Sequence, residues 1–200
     1  MKKEQRKRIV DRHRDSLKRF GYSSHALYWS SREIQEIRFK VLADIGIEPG
    51  DSVLDVGCGF GDFIPWFEKQ GGTLDYTGID LSPDLLTEAR KRHADVQFVE
   101  GELFDMVFAE ASFDWVILSG ALNELLHDDG DYARRSITRM FELCRKGMAF
   151  NLLDARHFKP HDLQTHLPEV MLAFCHELTP DCMLRDDYLK NDFTIYMRRI

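Results

Sequence analysis

The sequence predicts an α/β protein, a three-layer sandwich in which a mostly parallel seven-stranded sheet with an antiparallel last strand is covered by helices, after further N-terminal helices. Short apolar runs such as 53–56 and 113–119 alternate with segments of helical period, which is typical of successive βαβ units. The chain closes with strand-like runs at 183–188 and 193–197. Because so few residues join these two runs, we expect them to be antiparallel.

Length and composition are those of one ordinary domain. The chain has 200 residues, of which 44% are hydrophobic and 30% charged, so we expect a single domain over residues 1–200. No apolar run is long enough to span a bilayer, and no apolar segment follows the charged start, so we expect a cytoplasmic protein without membrane contact. The four cysteines show no metal-binding spacing, which fits reduced thiols.

Charge is unevenly distributed along the chain. The first twenty residues carry nine Lys/Arg and three Asp/Glu, a net charge of +6, and the whole-chain charge of −7 leaves −13 for the remainder. A basic helix of this kind is more often solvated or lid-like than a nucleic-acid arm. Residues 1–30 are therefore interpreted as an N-terminal helix and a lid-like segment, and nucleic acid is a less favoured partner.

The second predicted helix covers residues 32–45. Ser31 is a suitable N-cap, and apolar residues then recur at helical spacing. We expect this apolar face to pack on the sheet; it comprises Ile34, Ile37, Val41 and Leu42.

The strand at 53–56 leads into a glycine-rich loop and a new apolar segment. Gly57, Gly59 and Gly61 recur at every second position. Glycine reaches positive φ without steric cost and lets a ligand approach the backbone, so this loop is a candidate cofactor cradle. The spacing differs from the dinucleotide pattern G-x-G-x-x-G, and no Gly-Lys-Ser/Thr follows. The loop also lacks Lys and Arg, which disfavours a polyphosphate ligand.

The next predicted strand, at 73–80, ends in Asp80. A helix should follow, because Ser82 is a suitable N-cap and Pro83 a suitable first helical residue. A carboxylate beside the glycine loop can accept hydrogen bonds from both hydroxyls of a ribose and would repel a ribose phosphate. These residues favour an adenosine ligand such as S-adenosylmethionine (SAM).

The runs 54–61 and 78–82 resemble the first two motifs of the class I, Rossmann-like SAM-dependent methyltransferases. The likeness extends over about residues 35–200 and, more loosely, to small bacterial members without a settled substrate. It implies SAM as the cofactor and an acid after the third strand, here Glu102, that hydrogen-bonds the adenine amino group. The expected cofactor-binding residues are Asp55, Gly57, Cys58, Gly59, Gly61, Asp80, Leu81, Glu102, Leu103 and Ser119.

The loop after the fourth strand, residues 119–124, should face the transferred methyl group, because ligands bind beyond the carboxyl ends of the strands. The superfamily's adenine methylators carry Pro-Pro-aromatic at this point, and its cytosine-C5 group carries Pro-Cys. Neither motif is present, which weighs against methylation of nucleic-acid bases by those mechanisms.

Methyl transfer from a sulfonium is a direct displacement, so alignment matters more than acid–base groups. A base is needed only if the acceptor must lose a proton. The candidate catalytic residues are Asn123, Glu124 and His127, and the candidate pocket walls are Tyr22, Trp29 and Tyr188. A surface or packing role is at least as plausible for each of them.

No metal site is expected. His157 and His161 stand four residues apart, but Pro160 lies between them and disrupts the helical face that such a ligand pair needs.

The sequence therefore predicts a SAM-dependent methyltransferase for a small-molecule O, N or S acceptor. The alternatives are a SAM-binding protein without turnover and a nucleic-acid or protein methyltransferase that uses the basic helix. A dinucleotide oxidoreductase is disfavoured by the glycine spacing. The acceptor and the oligomeric state are left open.

Overall fold

The computed structural model describes residues 1–200. Its strands are β1 (Ser52–Val56), β2 (Asp75–Asp80), β3 (Gln97–Glu100), β4 (Phe113–Ser119), β5 (Cys144–Leu153), β6 (Cys182–Arg185) and β7 (Asp192–Arg198). Its α-helices are α1 (Lys3–Phe20), α2 (Arg32–Ala43), α3 (Phe63–Glu68), α4 (Pro83–Arg92), α5 (Asp131–Leu143) and α6 (Pro168–Leu178). Single 3-10 turns at Ser24–Leu27 and Leu103–Asp105 were not predicted from the sequence.

The seven strands form one sheet in the order β3-β2-β1-β4-β5-β7-β6. Strands β1 to β5 are mutually parallel, whereas β7 is antiparallel to both β5 and β6. The predicted mostly parallel sheet with a reversed last strand is therefore confirmed. None of the helices combines the length and apolarity that crossing a bilayer requires.

The core consists of two apolar layers, one on each face of the sheet. Successive residues of β4 and β5 alternate between them: Leu118 and Phe150 belong to the layer beneath α5 and α6, and Ile117 and Ala149 to the layer beneath α2 and α3. Strand side chains alternate between faces, so a strand buried on both sides must be apolar at nearly every position. This explains the continuous apolar run of β4.

Helix α2 buries Val41 and Leu42 of the predicted face and leaves Ile34 half-buried, but Ile37 departs from the prediction. Ile37, expected against the sheet, is 36% exposed, whereas Gln35 and Arg38 are buried. The prediction was wrong at Ile37 because both polar side chains find buried carboxylates. Gln35 Nε2 donates to Asp62 at 3.1 Å, and Arg38 forms an ion pair with Asp192.

The topology brings the ends of several strands to one place. The strand order reverses between β1 and β4, which in a parallel α/β sheet marks a crevice beyond the carboxyl ends of the strands. Helix α1 lies over this edge and is tied to α4 by an ion pair from Arg14 to Asp84 at 3.0 Å.

Candidate cofactor and acceptor site

A cavity of about 520 Å³ opens at the carboxyl edge of the sheet. One wall is formed by the glycine loop, the end of β2, the turn after β3 and the loop after β4. Helix α1 and residues 27–30 cover it, and the loop after β5 and the turn before β7 complete the far side. Side chains from both halves of the sheet therefore meet in one enclosed space.

The glycine loop takes a conformation that only glycine adopts readily. Gly57, Gly59 and Gly61 have φ values of +77°, +56° and +72°. A Cβ added at Gly57 would lie 2.3 Å from Cβ of Ala121. The Gly57 amide donates to the Ile79 carbonyl at 2.8 Å, so the loop is fixed to β2 while Gly57 and Gly59 line the cavity.

Asp80 connects the glycine loop with the start of α4. Its Oδ2 accepts from the Gly59 amide at 2.9 Å, and its Oδ1 accepts from the Ser82 amide at 2.8 Å. An ionised carboxylate has about four acceptor positions, so both oxygens retain capacity for ribose hydroxyls. Asp80 lines the cavity, as do Leu81 and the half-buried His13. Burial lowers the pKa of His13, although the charge of Asp80 opposes this effect.

Glu102 and Leu103 also line the cavity, at the turn after β3. The Glu102 carboxylate is buried and accepts from the Tyr132 hydroxyl at 2.9 Å and from the Met1 amino group at 3.1 Å. It also pairs with Arg6. Burial and the neighbouring charge of Glu102 raise the pKa of Tyr132. An adenine amino group at this point would share Glu102 with Tyr132 and α1.

Three of the predicted cofactor-binding residues lie behind the loop, outside the cavity wall: Asp55, Cys58 and Gly61. The Tyr76 hydroxyl donates to the Asp55 carboxyl at 2.6 Å, and burial raises the pKa of Asp55 to about 7. The Cys58 thiol is buried in the apolar layer beneath α2 and α3. In this position they support the shape of the loop from the side away from the cavity.

The loop after β4 divides the candidate catalytic residues. Asn123 and Glu124 line the cavity together with Ser119, whereas His127 is exposed at φ +54° and lies outside the wall. Glu124 forms an ion pair with Arg12 of α1. The buried Oδ1 of Asn123 has no hydrogen-bond partner, so it is available to a bound molecule.

Comparison with known proteins supports a methyltransferase assignment. The family model described as "Methyltransferase domain" matches residues 53–147, the segment that carries the glycine loop, Asp80 and Glu102. This segment, a little under half of the chain, is thus similar to methyltransferase domains.

Curated methyltransferases match only part of the chain. The chain is 35% identical over 85 residues to trans-aconitate 2-methyltransferase of Escherichia coli O157:H7, covering 38% of this chain and 34% of that protein. It is 34% identical over 92 residues to demethylmenaquinone methyltransferase of Staphylococcus aureus, covering 44% and 38%. The match thus spans little more than a third of the length of these relatives.

Solved methyltransferase structures share the fold over most of the chain. Magnesium protoporphyrin IX methyltransferase from Synechocystis PCC 6803 with bound S-adenosylhomocysteine (SAH) has a TM-score of 0.67 at 16% identity, covering 98% of this chain and 100% of that one. A TehB-like SAM-dependent methyltransferase from Corynebacterium glutamicum has a TM-score of 0.63 at 17% identity, covering 94% and 98%. These structures confirm the architecture.

The sequence predicted a lid-like N-terminal segment but did not predict which residues of α1 line the cavity. Ile9, Arg12 and His13 line the cavity, and their spacing of i, i+3 and i+4 places them on one helix face. That periodicity was visible in the sequence, but the mixed polarity of the three residues concealed it.

Of the predicted pocket walls, only Trp29 lines the cavity. The Tyr22 hydroxyl instead donates to Asp62 at 2.7 Å, and the Tyr188 hydroxyl lies 2.8 Å from Oγ1 of Thr194. Both tyrosines therefore contact the surrounding structure and do not line the cavity.

Basic residues of α1 form ion pairs with acids elsewhere in the chain. Arg6 pairs with Glu102 and, at 2.7 Å, with Asp105, while Arg12 pairs with Glu124. The positive helix and the negative body thus meet at the rim of the cavity. No three His, Cys, Asp or Glu side chains converge in a way that could hold a metal ion.

Proposed function

We propose that the protein transfers the methyl group of SAM to an O, N or S atom of a small-molecule acceptor by direct displacement. A lone pair of the acceptor attacks the methyl carbon, the carbon–sulfur bond breaks, and its electrons pass to sulfur to give SAH. The observation that carries the proposal is the continuous cavity from Asp80 to the turn before β7, because it provides space for cofactor and acceptor side by side.

Asp80, Gly57 and Gly59 are the proposed contacts for the nucleoside and amino-acid ends of SAM. Their support is the match to the methyltransferase domain over residues 53–147 and the free acceptor positions of Asp80. Glu102 and Leu103 are the proposed adenine contacts. Asp55, Cys58 and Gly61 are proposed to act indirectly, by holding the loop.

A small acceptor is supported by the size and cover of the cavity. A volume of about 520 Å³ lies within the range of about 300–1,000 Å³ typical of small-molecule sites. Residues 1–30 are proposed to form the cover. Because Arg6, Arg12 and Arg14 are paired with acids of the same chain, they are less available to nucleic acid. The two curated relatives are named for small acceptors.

The proposed chemistry depends on alignment, with no strong base at the reacting centre. Glu124 is already engaged in an ion pair with Arg12. The unpartnered Oδ1 of Asn123 is proposed to accept a hydrogen bond from the acceptor and orient its lone pair towards the methyl group. His127 lies outside the cavity wall, so we assign it no catalytic role.

The decisive experiment combines calorimetry with a transfer assay. We expect SAM and SAH to bind with Kd values in the micromolar range, about −8 kcal/mol, and labelled methyl to appear in a small-molecule fraction. Lack of binding by either nucleoside would contradict the proposal. Binding without transfer over a broad panel would identify a SAM-binding protein without turnover, and salt-sensitive RNA or DNA methylation would favour a nucleic-acid substrate.

A further inference from the structure

The far end of the cavity is a second recognition site, distinct from the cofactor cradle. We infer that it binds a carboxylate of the methyl acceptor through Arg38 and Lys190. This inference rests on the proposed function and specifies its substrate class, namely a small organic acid.

The position of Asp192, the ion-pair partner of Arg38, separates this end from the cofactor residues. Asp192 begins β7 and stands beside Leu153 of β5, and β4 and β5 lie between β7 and β1 in the sheet. Strand spacings of about 4.8 Å therefore place Asp192 about 14 Å from β1. Arg38, Lys190 and Asp192 all line this part of the cavity.

Arg38 has an unused hydrogen-bond donor in a buried position. Arg38 is 6% exposed, and its guanidinium lies over the Trp29 ring, 4.3 Å from the ring centroid. Nη2 donates to Asp192, but the buried Nε has no partner. Buried donors are rarely left unpaired, and the planar guanidinium suits carboxylates. An incoming carboxylate would satisfy this donor.

The charged side chains that line this end of the cavity are Arg38, Lys190 and Asp192, so one positive group is in excess among them. Arg38 and Asp192 form an ion pair. Lys190 lines the cavity and has no carboxylate within 4.0 Å. A monoanionic ligand would balance this charge, whereas an amine would be repelled by it.

The apolar residues of the cavity indicate what the rest of the acid molecule is like. Leu153 stands beside Asp192 in the sheet, Leu189 precedes Lys190 in the chain, and Phe158 and Leu163 also line the cavity. Apolar surface of this kind favours a hydrocarbon or aromatic skeleton. The expected ligand therefore combines one carboxylate with a small apolar body.

The first test uses protein saturated with SAH, in which turnover cannot occur. Benzoate, cinnamate and octanoate are titrated in parallel with their primary amides. We expect at least one acid to bind at least tenfold more tightly than its amide. Equal affinity for acid and amide throughout, or no binding by any of the three acids, would overturn the inference. Failure of SAH itself to bind would instead overturn the proposed function.

Variants locate the binding site of the acid. Lys190→Gln should weaken acid binding several-fold at low ionic strength without changing the affinity for SAH. Lys159→Gln, a change at an exposed lysine outside the cavity wall, is the matched control and should change neither affinity. The same effect from both variants would contradict a role for Lys190.

Asp192→Asn gives a prediction of the opposite sign. Removing the carboxylate that competes for Arg38 should strengthen acid binding, and the acid should raise the melting temperature more than it does in the parent. A purely structural role for the pair predicts weaker binding instead. Arg38→Lys should weaken acid binding and leave SAH affinity unchanged; an equal loss of both would place Arg38 at the cofactor and refute the inference.

Discussion

The two edges of the sheet use their polar groups differently. At the amino edge, Asp51 accepts from the Trp115 indole at 2.7 Å and pairs with Lys146. Asp114 accepts from the Ser52 amide at 3.0 Å and pairs with Arg145. These carboxylates are satisfied by the chain itself, so this edge contributes to stability.

The carboxyl edge leaves polar groups without partners. Buried atoms that lack a hydrogen bond include Arg12 Nε, His13 Nδ1, Arg38 Nε and Asn123 Oδ1, and all four residues line the cavity. Unsatisfied buried groups destabilise a fold, and proteins retain them mainly where a ligand completes them. This difference between the two edges indicates that the carboxyl edge is adapted to bind a ligand.

The largest contrast is expected in the pH dependence of stability. Burial raises the pKa of Asp55 to about 7 in the folded protein. Between about pH 4 and pH 7 the folded protein therefore keeps a proton on Asp55 that the unfolded chain has released. The free energy of unfolding therefore falls as pH rises through this window, by up to about 4 kcal/mol. Asp55→Asn should be more stable than the parent at pH 8 and similar to it near pH 4, as measured by denaturant unfolding.

The amino edge provides the control of opposite sign. Burial alone would raise the pKa of Asp114, but Arg145 and Ser52 lower it to about 2. This group stabilises the protein above about pH 4, by about 2 kcal/mol, and the contribution is lost as pH falls towards 2. Asp114→Asn should therefore destabilise at pH 8. A stabilising Asp114→Asn would remove the contrast.

Two glycines test the steric difference between the edges. Gly57→Ala should destabilise by about 3 kcal/mol, combining positive-φ strain with overlap on Ala121, and SAH binding should be lost. Gly50 at the amino edge also has positive φ, +89°, but an added Cβ meets nothing within 4 Å. Gly50→Ala should lose only about 1 kcal/mol and bind SAH normally. Chemical unfolding and calorimetry distinguish the two, and equal losses would refute the steric argument.

The acids at the two ends of β2, Asp75 and Asp80, test the electrostatic difference between the two edges of the sheet. Asp80→Ala should weaken SAH binding about 100-fold, because charged hydrogen bonds contribute about 1.5–3 kcal/mol each. Asp75→Ala, at the exposed amino end of the same strand, should leave the affinity for SAH unchanged. Calorimetry at constant pH is the measurement, and comparable losses in both variants would place the ribose elsewhere.

The smallest effect is expected at the cover. Arg6→Gln breaks the pairs from α1 to Glu102 and Asp105. It should accelerate SAH dissociation two- to fivefold, since Arg6 is partly exposed and ion pairs of exposed side chains contribute about 1 kcal/mol or less. Lys7→Gln is the control, because Lys7 pairs only with Asp11 of the same helix. Stopped-flow displacement measures both rates; equal rates would show that α1 does not retain the ligand.

Local patterns predicted most of the fold and most of the residues that line the glycine-loop end of the cavity. The apolar runs, the glycine spacing and Asp80 each depend on residues close in sequence, and the predicted elements agree with the structure to within a few residues. The seven strands follow from these patterns and from the preference of closely linked strands for antiparallel pairing.

The far end of the cavity, at Arg38 and Asp192, was not predictable in the same way. It depends on ion pairs between residues that are distant in sequence. Arg38 is buried only because Asp192, 154 residues away, receives it. Glu102 is reached by Arg6 across 96 residues. The sequence alone shows Arg38 as a polar residue beside the apolar Ile37, so hydrophobicity buries Ile37 and exposes Arg38, the reverse of what the structure shows.

The burial of Cys58 has a practical consequence. Its thiol lies behind the glycine loop, and burial raises its pKa well above the usual value, so little nucleophilic thiolate forms. Cys182 is the one partly accessible thiol and should be alkylated first by iodoacetamide. Mass-spectrometric labelling of Cys58 therefore records how often the loop opens, and a saturating nucleoside should slow that labelling without affecting Cys182.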